Sequence, residues 1–352
     1  MAVSFTYVLP SGTNPFIPSP NAEGSGQLLV DYSRNDKDFL VNRLTTITPT
    51  NLPAGYWQRF NPADANRLRD LNTYKWRDGQ QFPAGDQAKQ GFTNLSYATE
   101  RYAEVYPIGY QEKENATWDV ETQATNILGP KLMMLRTKAF TDLVTTAGNY
   151  LSTNTKTATS WGGGTWAAAT ATNRYIQKTL NAIERQCNIL TLGTVTRKDL
   201  ILLLSPTVAL GISETAELQQ YVVNNQFALG QLKGGVPGQN AAFGLPDQLY
   251  GYKVEVMSET YNSANRGAAD SVSFFAPENG AIVLARPGGL ENTGGFATAF
   301  SSVHLFSYQP EEMKMETHDE PHNRRLMVQA YDNWDMKIVS PETLFQVTNV
   351  LS

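Results

Sequence analysis

The sequence has few of the features that would support secretion or membrane insertion. It contains one cysteine, Cys187, in 352 residues, which excludes an internal disulfide and favours folding in a reducing compartment. It has no run of about 18 or more apolar residues, the length needed to span a bilayer as a helix. Its first residues lack the basic and apolar regions of a signal peptide. A disulfide-rich secreted domain and a helical membrane protein are therefore not expected.

Charge is also scarce. Charged residues make up 17% of the chain, below the roughly 25% that is usual for soluble globular domains. A surface with little charge indicates that part of it contacts other protein. The formal net charge is −5, whereas proteins that bind nucleic acid tightly cluster Lys and Arg to neutralise phosphates. Any contact with DNA is therefore expected to be non-specific.

Residues typical of catalysis or metal binding are isolated in the sequence. No phosphate-binding loop or nucleophile elbow is present, and Cys187 is interpreted as a packed thiol. His318 and His322 have the spacing of a helical metal pair, but Pro321 between them would break a helix, so an exposed turn is expected. His304 lies alone in an apolar strand and is expected to be packed there. We expect no catalytic residue, no cofactor and no metal.

Residues 52–112 differ in composition from the rest of the chain. Aromatic and basic residues interleave, a turn-rich stretch follows, and the run FTNLSYATERYAEVYPIGYQE alternates in polarity. This layout predicts a long β-hairpin with an elaborate tip. A two-stranded hairpin is marginally stable alone, so this one is expected to lie on other protein. Aromatic and Arg side chains anchor interfaces, and the expected inter-subunit contacts are Trp57, Arg59, Arg67, Arg69, Trp76, Arg77 and Phe82.

The remaining pattern predicts a long helix followed by a mixed lobe. Apolar residues recur at helical spacing over 118–150, with Gly129-Pro130 expected to kink or split that helix. A Thr/Ser/Gly linker at 151–171 precedes strands that alternate with helices, and the tail after 300 has the turn signals of antiparallel strands. The predicted elements of the lobe are helices at 172–188 and 214–225 and strands at 200–206 and 251–259.

This order of elements resembles the major capsid proteins of tailed phages, whose fold is shared with encapsulins and the herpesvirus capsid floor. The best local match is YATERYAEVYPIGYQE running towards the long helix. The resemblance implies an α+β fold in four parts. These are an N-terminal arm (1–51), an extended β-hairpin loop (52–112), a peripheral domain with a long spine helix (113–171 and 301–352) and an α/β axial domain (172–300).

The resemblance also implies a function and partners. The chain is expected to assemble through hexamers and pentamers into an icosahedral shell enclosing phage dsDNA, in the host cytoplasm and then in the virion. Since the chain starts at Met1 without the scaffolding segment of many relatives, a separate scaffolding protein is expected, with a portal and decoration proteins and without a membrane. The loop expected at the capsomer centre comprises Gly234, Gly235, Val236, Pro237 and Gly238.

Three alternatives stay open from the sequence. An encapsulin-like nanocompartment would use the same fold to hold a cargo protein. A soluble α/β enzyme with an unrecognised site would need catalytic residues that the motifs do not reveal. A tail or decoration protein of a virion is a further alternative, although such proteins seldom need a long helix together with an α/β lobe.

Overall fold

The computed structural model of the protein describes residues 39–60, 75–76, 78–79, 92–116, 118–225, 243–265, 267–286 and 300–352. The helices are α1 Val41–Leu44, α2 Tyr110–Asn115, α3 Val120–Thr145, α4 Ala158–Gly162, α5 Tyr175–Thr191, α6 Pro206–Ser213 and α7 Ala216–Asn224. The strands are β1 Thr46–Thr50, β2 Ala54–Phe60, β3 Phe92–Ala98, β4 Glu100–Gly109, β5 Thr155–Thr157, β6 Leu200–Leu204, β7 Gln248–Leu249, β8 Tyr252–Val256, β9 Thr260–Asn262, β10 Val272–Phe274, β11 Gly280–Ala285, β12 Val303–Tyr308, β13 Lys314–Glu320, β14 Arg325–Ile338 and β15 Phe345–Thr348.

One sheet has five strands and is organised around the long strand β14. Strands β12, β13 and β4 pair antiparallel with β14, and β1 pairs parallel with β12. Because β4 and β13 both pair with residues 325–331, they lie on opposite sides of β14. The antiparallel strands expected in the tail are therefore present, and they combine with strands from the first third of the chain.

Helix α3 covers one face of this sheet. Asp119 caps its first turn by accepting hydrogen bonds from the backbone N–H of Glu121 (3.1 Å) and of Thr122 (3.3 Å), which satisfies two of the otherwise free donors of a helix start. Buried apolar side chains then pack the helix on β4 and β14. Each such side chain contributes roughly 1.5–3 kcal/mol when taken out of water. The main ones are Ala124, Leu128, Leu132, Ile108, Val328 and Ala330.

The expected split of this helix at Gly129-Pro130 is wrong. The structure has one continuous helix from Val120 to Thr145, with Pro130 inside it. Proline removes one backbone donor and crowds the preceding turn. Leu128 and Leu132, on either side of Pro130, are both buried against the same sheet, so packing keeps both halves in one helix.

A buried ion pair links the middle of α3 to the sheet. The guanidinium of Arg136 donates to both carboxylate oxygens of Asp332 at 2.6 and 2.9 Å. The two side chains are 2% and 0% exposed, and the backbone N–H of Met313 also donates to Asp332 (3.2 Å). Bidentate pairs of Arg and a carboxylate are among the strongest polar contacts. This pair fixes the position of the helix along β14.

The second sheet is mixed and has six strands in the order β5-β15-β11-β6-β8-β7. Its central strands β6 and β11 are apolar and buried at every position, as expected for strands covered on both faces. Leu202 and Leu204 pack with α5 and α6 in one core. Ile201 and Leu203 point the other way and share a second core with α3 and the five-stranded sheet. The two sheets are therefore joined by a common hydrophobic layer.

Sheet pairing differs from the expected division of the chain at three places. Strand β15, from the tail, pairs with β11, and β5, from the segment before 171, pairs with β15. Both belong to the six-stranded sheet rather than to the sheet under α3. Most of the expected arm, 1–51, lies outside the described residues, but 39–50 is built into the body, where Phe39, Val41 and Leu44 are buried. The four-part division remains an expectation.

Candidate functional site

Strands β2 and β3 pair antiparallel as the predicted hairpin requires, but the hairpin is shorter than expected, because the second half of the alternating run, β4, pairs with β14 of the body instead. Their register runs from Ala54 opposite Ala98 to Phe60 opposite Phe92. At the root of the hairpin, the N–H and hydroxyl of Thr99 both donate to the carbonyl of Pro53, at 2.7 and 3.0 Å. The chain then continues directly into β4, which pairs with β14. The hairpin therefore leaves the body at a tightly closed root.

The two faces of the hairpin differ in exposure. Side chains of a strand alternate between faces, and directly paired residues share a face. One face, here called the inner face, carries the half-buried side chains Trp57, Arg59, Leu95 and Tyr97. The other face, here called the outer face, carries the exposed side chains Tyr56, Gln58, Asn94 and Ser96. Tyr56 is 81% exposed, and none of the four carries a charge.

The inner face lies on the five-stranded sheet. The ring of Tyr97 stacks on Phe306 of β12, with centroids 4.6 Å apart and planes 2° from parallel. Across the hairpin from Tyr97 is Gly55. A Cβ at position 55 would lie 2.7–2.9 Å from the Tyr97 ring, closer than atoms pack. Glycine is therefore required there for Tyr97 to reach Phe306.

Two carboxylates of the body add polar contacts to the hairpin. The backbone N–H of Ala98 donates to Asp335 of β14 (3.0 Å). Farther out, Arg59 pairs with Glu342, their side chains 27% and 12% exposed. Burial lowers the pKa of the Arg59 guanidinium from its ordinary value, which is the expected effect of taking a cation out of water. The inner face is therefore attached to its own chain through both apolar and charged groups.

The predicted contact residues are distributed unevenly over this site. Trp57 and Arg59 lie on the inner face, partly covered by their own chain, and Trp76 is 47% exposed. Sequence reasoning missed Asp335 and Glu342, since nothing near them in the chain signals a contact with the hairpin. Other predicted residues lie outside the described residues: Arg67, Arg69, Arg77 and Phe82 of the hairpin, and Gly234, Gly235, Val236, Pro237 and Gly238 of the expected capsomer-centre loop.

Part of the same sheet face has no cover among the described residues. Asp335 lies on the face of β14 that points away from α3, and the alternate residues Met327 and Gln329 share that face. Their partners on β4 are Pro107 and Val105, and Val105 is 38% exposed. We call this surface the open sheet face; it comprises Ala103, Val105, Pro107, Met327 and Gln329. The hairpin thus covers one end of the face and leaves the other end exposed.

The residues considered for chemistry are separated in the fold. Cys187 is buried in α5, where burial raises the pKa of its thiol to about 12, so it is protonated at neutral pH. His318 is exposed in β13, and His322 lies in the turn after it. His304 is buried in β12, with its Nδ1 3.0 Å from the Thr48 hydroxyl. Over the described ranges, no three His, Cys, Asp or Glu side chains gather as metal ligands do.

Other buried carboxylates have structural partners. Glu217, 2% exposed, accepts hydrogen bonds from the N–H of Ile176 (3.0 Å) and of Gln177 (2.8 Å) at the start of α5, and from the Tyr250 hydroxyl (2.9 Å). Helix α5 has no cap of its own, so Glu217 supplies it from α7. Among the described residues, no helix is long and apolar enough to cross a membrane.

Comparisons with known proteins identify the fold. No family model matches the sequence, and no curated protein matches it. The chain is similar in structure to a phage-related protein from Bordetella bronchiseptica RB50, with a TM-score of 0.59 and 10% identity over 90% of this chain and 94% of that chain. It is similar to the capsid of cyanophage P-SCSP1u, with a TM-score of 0.57 and 13% identity over 92% and 91%. It is also similar to a structure from Mycobacterium phage Che8, with a TM-score of 0.54 and 12% identity over 97% of this chain and 100% of that chain.

The chain has the fold of phage major capsid proteins. The similarity extends over nearly the whole of each chain, so the capsid fold accounts for both sheets and for the hairpin. It also confirms the resemblance drawn from the order of elements. The assignment of α3 to the spine helix and of the hairpin to the extended loop remains the expectation drawn from the sequence. Identities of 10–13% explain why the sequence comparisons fail where the structural ones succeed.

Proposed function

We propose that the chain is a structural subunit that assembles through hexamers and pentamers into a closed icosahedral shell around phage dsDNA, and that it is not an enzyme. The observation that carries the proposal is the similarity in fold to the capsid of cyanophage P-SCSP1u over 92% of the chain, with the two other phage structures matched over at least nine-tenths of it. Repeated head-to-tail contacts between identical subunits generate rings when the rotation closes. We therefore assign the subunit to a shell built from such rings.

Two surfaces of the described residues suit contacts between subunits. The outer face of the hairpin is uncharged in its described part and centred on Tyr56, and the open sheet face is apolar apart from Gln329, with Glu316 and His318 of β13 beside it. Interface cores are depleted in charge and enriched in Tyr and Met, and exposed apolar surface tends to mark interaction sites. Trp57 and Arg59 are partly covered by their own chain, so only their exposed portions, together with the other hairpin residues named from the sequence, remain proposed contacts. A neighbouring subunit would then cover the surfaces that one chain leaves exposed.

The proposed partners follow from the same function. Copies of the chain itself are the main partner, with a separate scaffolding protein, a portal and decoration proteins completing assembly in the host cytoplasm. Packaged DNA would touch the inside of the shell without sequence preference, because the net charge of −5 does not supply the excess of cations that tight phosphate binding requires. The subunit would end in the virion.

Light scattering and negative-stain microscopy of the recombinant chain test the proposal. Shells, or rings of five and six subunits, are the expected result, with scaffolding components from a phage lysate added if the chain alone stays small. A chain that remains monomeric in the presence of those components would contradict the proposal and favour an enzyme. Nucleic acid inside the shells would distinguish a genome container from a nanocompartment, which would instead carry a cargo protein.

A further inference from the structure

Besides the stack of Tyr97 on Phe306, the hairpin has two polar attachments to the body, and these lie far apart. The first is the root, where Thr99 bonds to Pro53 and Asp335 accepts from Ala98. The second is the ion pair of Arg59. Arg59 is five residues along β2 from Ala54 at the root, a distance of about 17 Å at the usual rise per residue. A hairpin held at its root alone can change its angle to the body. A second contact at that distance prevents this rotation.

The body side of the second contact is rigid. Glu342 lies in the turn Pro341–Thr343, and its carboxylate accepts from the Ser340 hydroxyl (3.2 Å). Thr343 beside it is fully buried, with its hydroxyl 2.9 Å from that of Ser302. Asn154 donates to the carbonyl of Pro341 (3.1 Å). Motion at this contact therefore requires Arg59 to leave Glu342, because the turn itself is fixed by the core.

We infer that the ion pair of Arg59 and Glu342 is a latch by which the chain sets the angle of its own hairpin. With the latch closed, the inner face lies on the sheet and the outer face points away from the body. With the latch open, the root and the Tyr97 stack remain and the outer part of the hairpin moves. This inference concerns a single chain and does not depend on the proposed shell function.

The latch makes the angle of the hairpin sensitive to salt. Arg59 and Glu342 are partly exposed, and such pairs are weakened as ionic strength rises. The charged groups at the root contact include Glu100, which follows Thr99, and Asp335 and Lys337, which pair with each other at 3.3 Å. Because Asp335 bonds to a backbone N–H at the root, loss of its charge would loosen the root rather than the outer contact.

Distance measurements between two spin labels test the latch. The labels go on Asn94→Cys, exposed on the outer face of β3 and next to Thr93, which pairs with Arg59, and on Ile189→Cys, on α5 and 59% exposed. Cys187 is fully buried and stays unlabelled in the folded chain. Labelled chain is diluted with unlabelled chain, so that only distances within one subunit are recorded. Circular dichroism of every variant verifies that it is folded.

The unmodified chain is expected to give one narrow distance distribution in low salt. Glu342→Gln should broaden it, with the ratio of closed to open hairpin falling about fivefold, as for a partly exposed ion pair. About 1 M salt should broaden the distribution of the unmodified chain and leave that of Glu342→Gln unchanged. Glu121→Gln, which removes a more exposed ion pair with Lys113 at the start of α3, is the control and should leave the distribution narrow.

The charge-reversed pair decides the interpretation. Arg59→Glu alone should open the hairpin, and combining it with Glu342→Arg should restore the narrow distribution in low salt. An unchanged distribution in Glu342→Gln would overturn the latch. Failure of the reversed pair to restore the narrow distribution would do the same, because an ion pair depends on opposite charges and not on their order. If Glu342→Gln does not fold, Arg59→Gln removes the same pair from the hairpin side.

Discussion

The hairpin of β2 and β3 and the strand pair of β6 and β11 are both antiparallel, but they depend on different surroundings. Every residue of β6 and β11 is buried, so the chain supplies all the cover that this pair needs. The hairpin has one half-buried face and one exposed face, with Tyr56 at 81% exposure. The comparison shows that the inner strands are covered entirely by their own chain, whereas the hairpin keeps one face free for the proposed contact with a neighbouring subunit. Changes in the first region should therefore alter folding, and changes in the second should alter assembly.

The largest effect on folding is expected from Asp332→Ala. This substitution removes the two short hydrogen bonds of the buried Arg136 guanidinium and leaves it only the longer, partly exposed contact with Glu312 at 3.7 Å among the described residues. Removing one member of a buried pair costs about 3–5 kcal/mol, and the free energy of unfolding from urea titration should fall by that amount. Asp142→Ala removes the exposed partner of Lys138 and should change it by less than about 0.5 kcal/mol. Equal effects of the two substitutions would contradict the role given to burial.

A smaller loss is expected from Glu217→Ala. Among the described residues, Glu217 is the one side-chain acceptor at the start of α5, and caps of this kind are worth about 0.5–2 kcal/mol. Denaturant titration measures the change in the free energy of unfolding. The matched control is Glu214→Ala, which removes an exposed glutamate three residues earlier. A loss no larger than that of the control would mean that water replaces Glu217 at the helix start.

The outer face of the hairpin should show the reverse behaviour. Tyr56→Lys places a charge where the neighbouring subunit is proposed to dock, and an exposed substitution changes the free energy of unfolding by less than about 0.5 kcal/mol. The variant is expected to fold normally and to form no shells by light scattering. Gln219→Lys, an exposed position on α7, is the control for an added charge. Normal shells from Tyr56→Lys would remove the outer face from the proposed interface.

Thiol labelling compares the exposure of the core with that of the outer face of the hairpin. The pKa of Cys187 is raised to about 12 by burial, whereas an exposed thiol has a pKa of about 8.5. At pH 8 a cysteine in Tyr56→Cys should react with a thiol reagent at least about 1,000-fold faster than Cys187. The folded state holds the Cys187 proton more tightly than the unfolded state, so its contribution to stability is complete below about pH 8.5 and decreases as pH rises towards 12. Rapid labelling of Cys187 at pH 8 would show that the core opens.

Much of this architecture could be predicted because it depends on local pattern. The apolar spacing of α3, the apolar run of β6 and the alternation in β3 and β4 are visible over consecutive residues. The short strands β5 and β15 carry too few residues for a periodic signal, so their place in the six-stranded sheet could not be predicted. The continuity of α3 through Pro130 depends on a sheet formed by distant segments.

The contacts that hold the hairpin show the same limit. Arg59 could be recognised as an interface-type residue, but its partner Glu342 lies near the other end of the chain. Only the fold brings the two together. Tyr97 and Phe306 are likewise joined by tertiary structure alone. Sequence therefore indicated which segment makes contacts and could not indicate which of its faces is occupied by its own chain.

The most direct test is cryo-electron microscopy of the assembled particles at a resolution that separates subunits. The result expected is a closed shell of hexamers and pentamers in which the outer face around Tyr56 is buried against a neighbouring subunit and the inner face stays on its own sheet. A closed shell in which Tyr56 faces solvent would contradict the assignment of the two faces. The absence of any closed particle, with scaffolding components present, would contradict the proposed function itself.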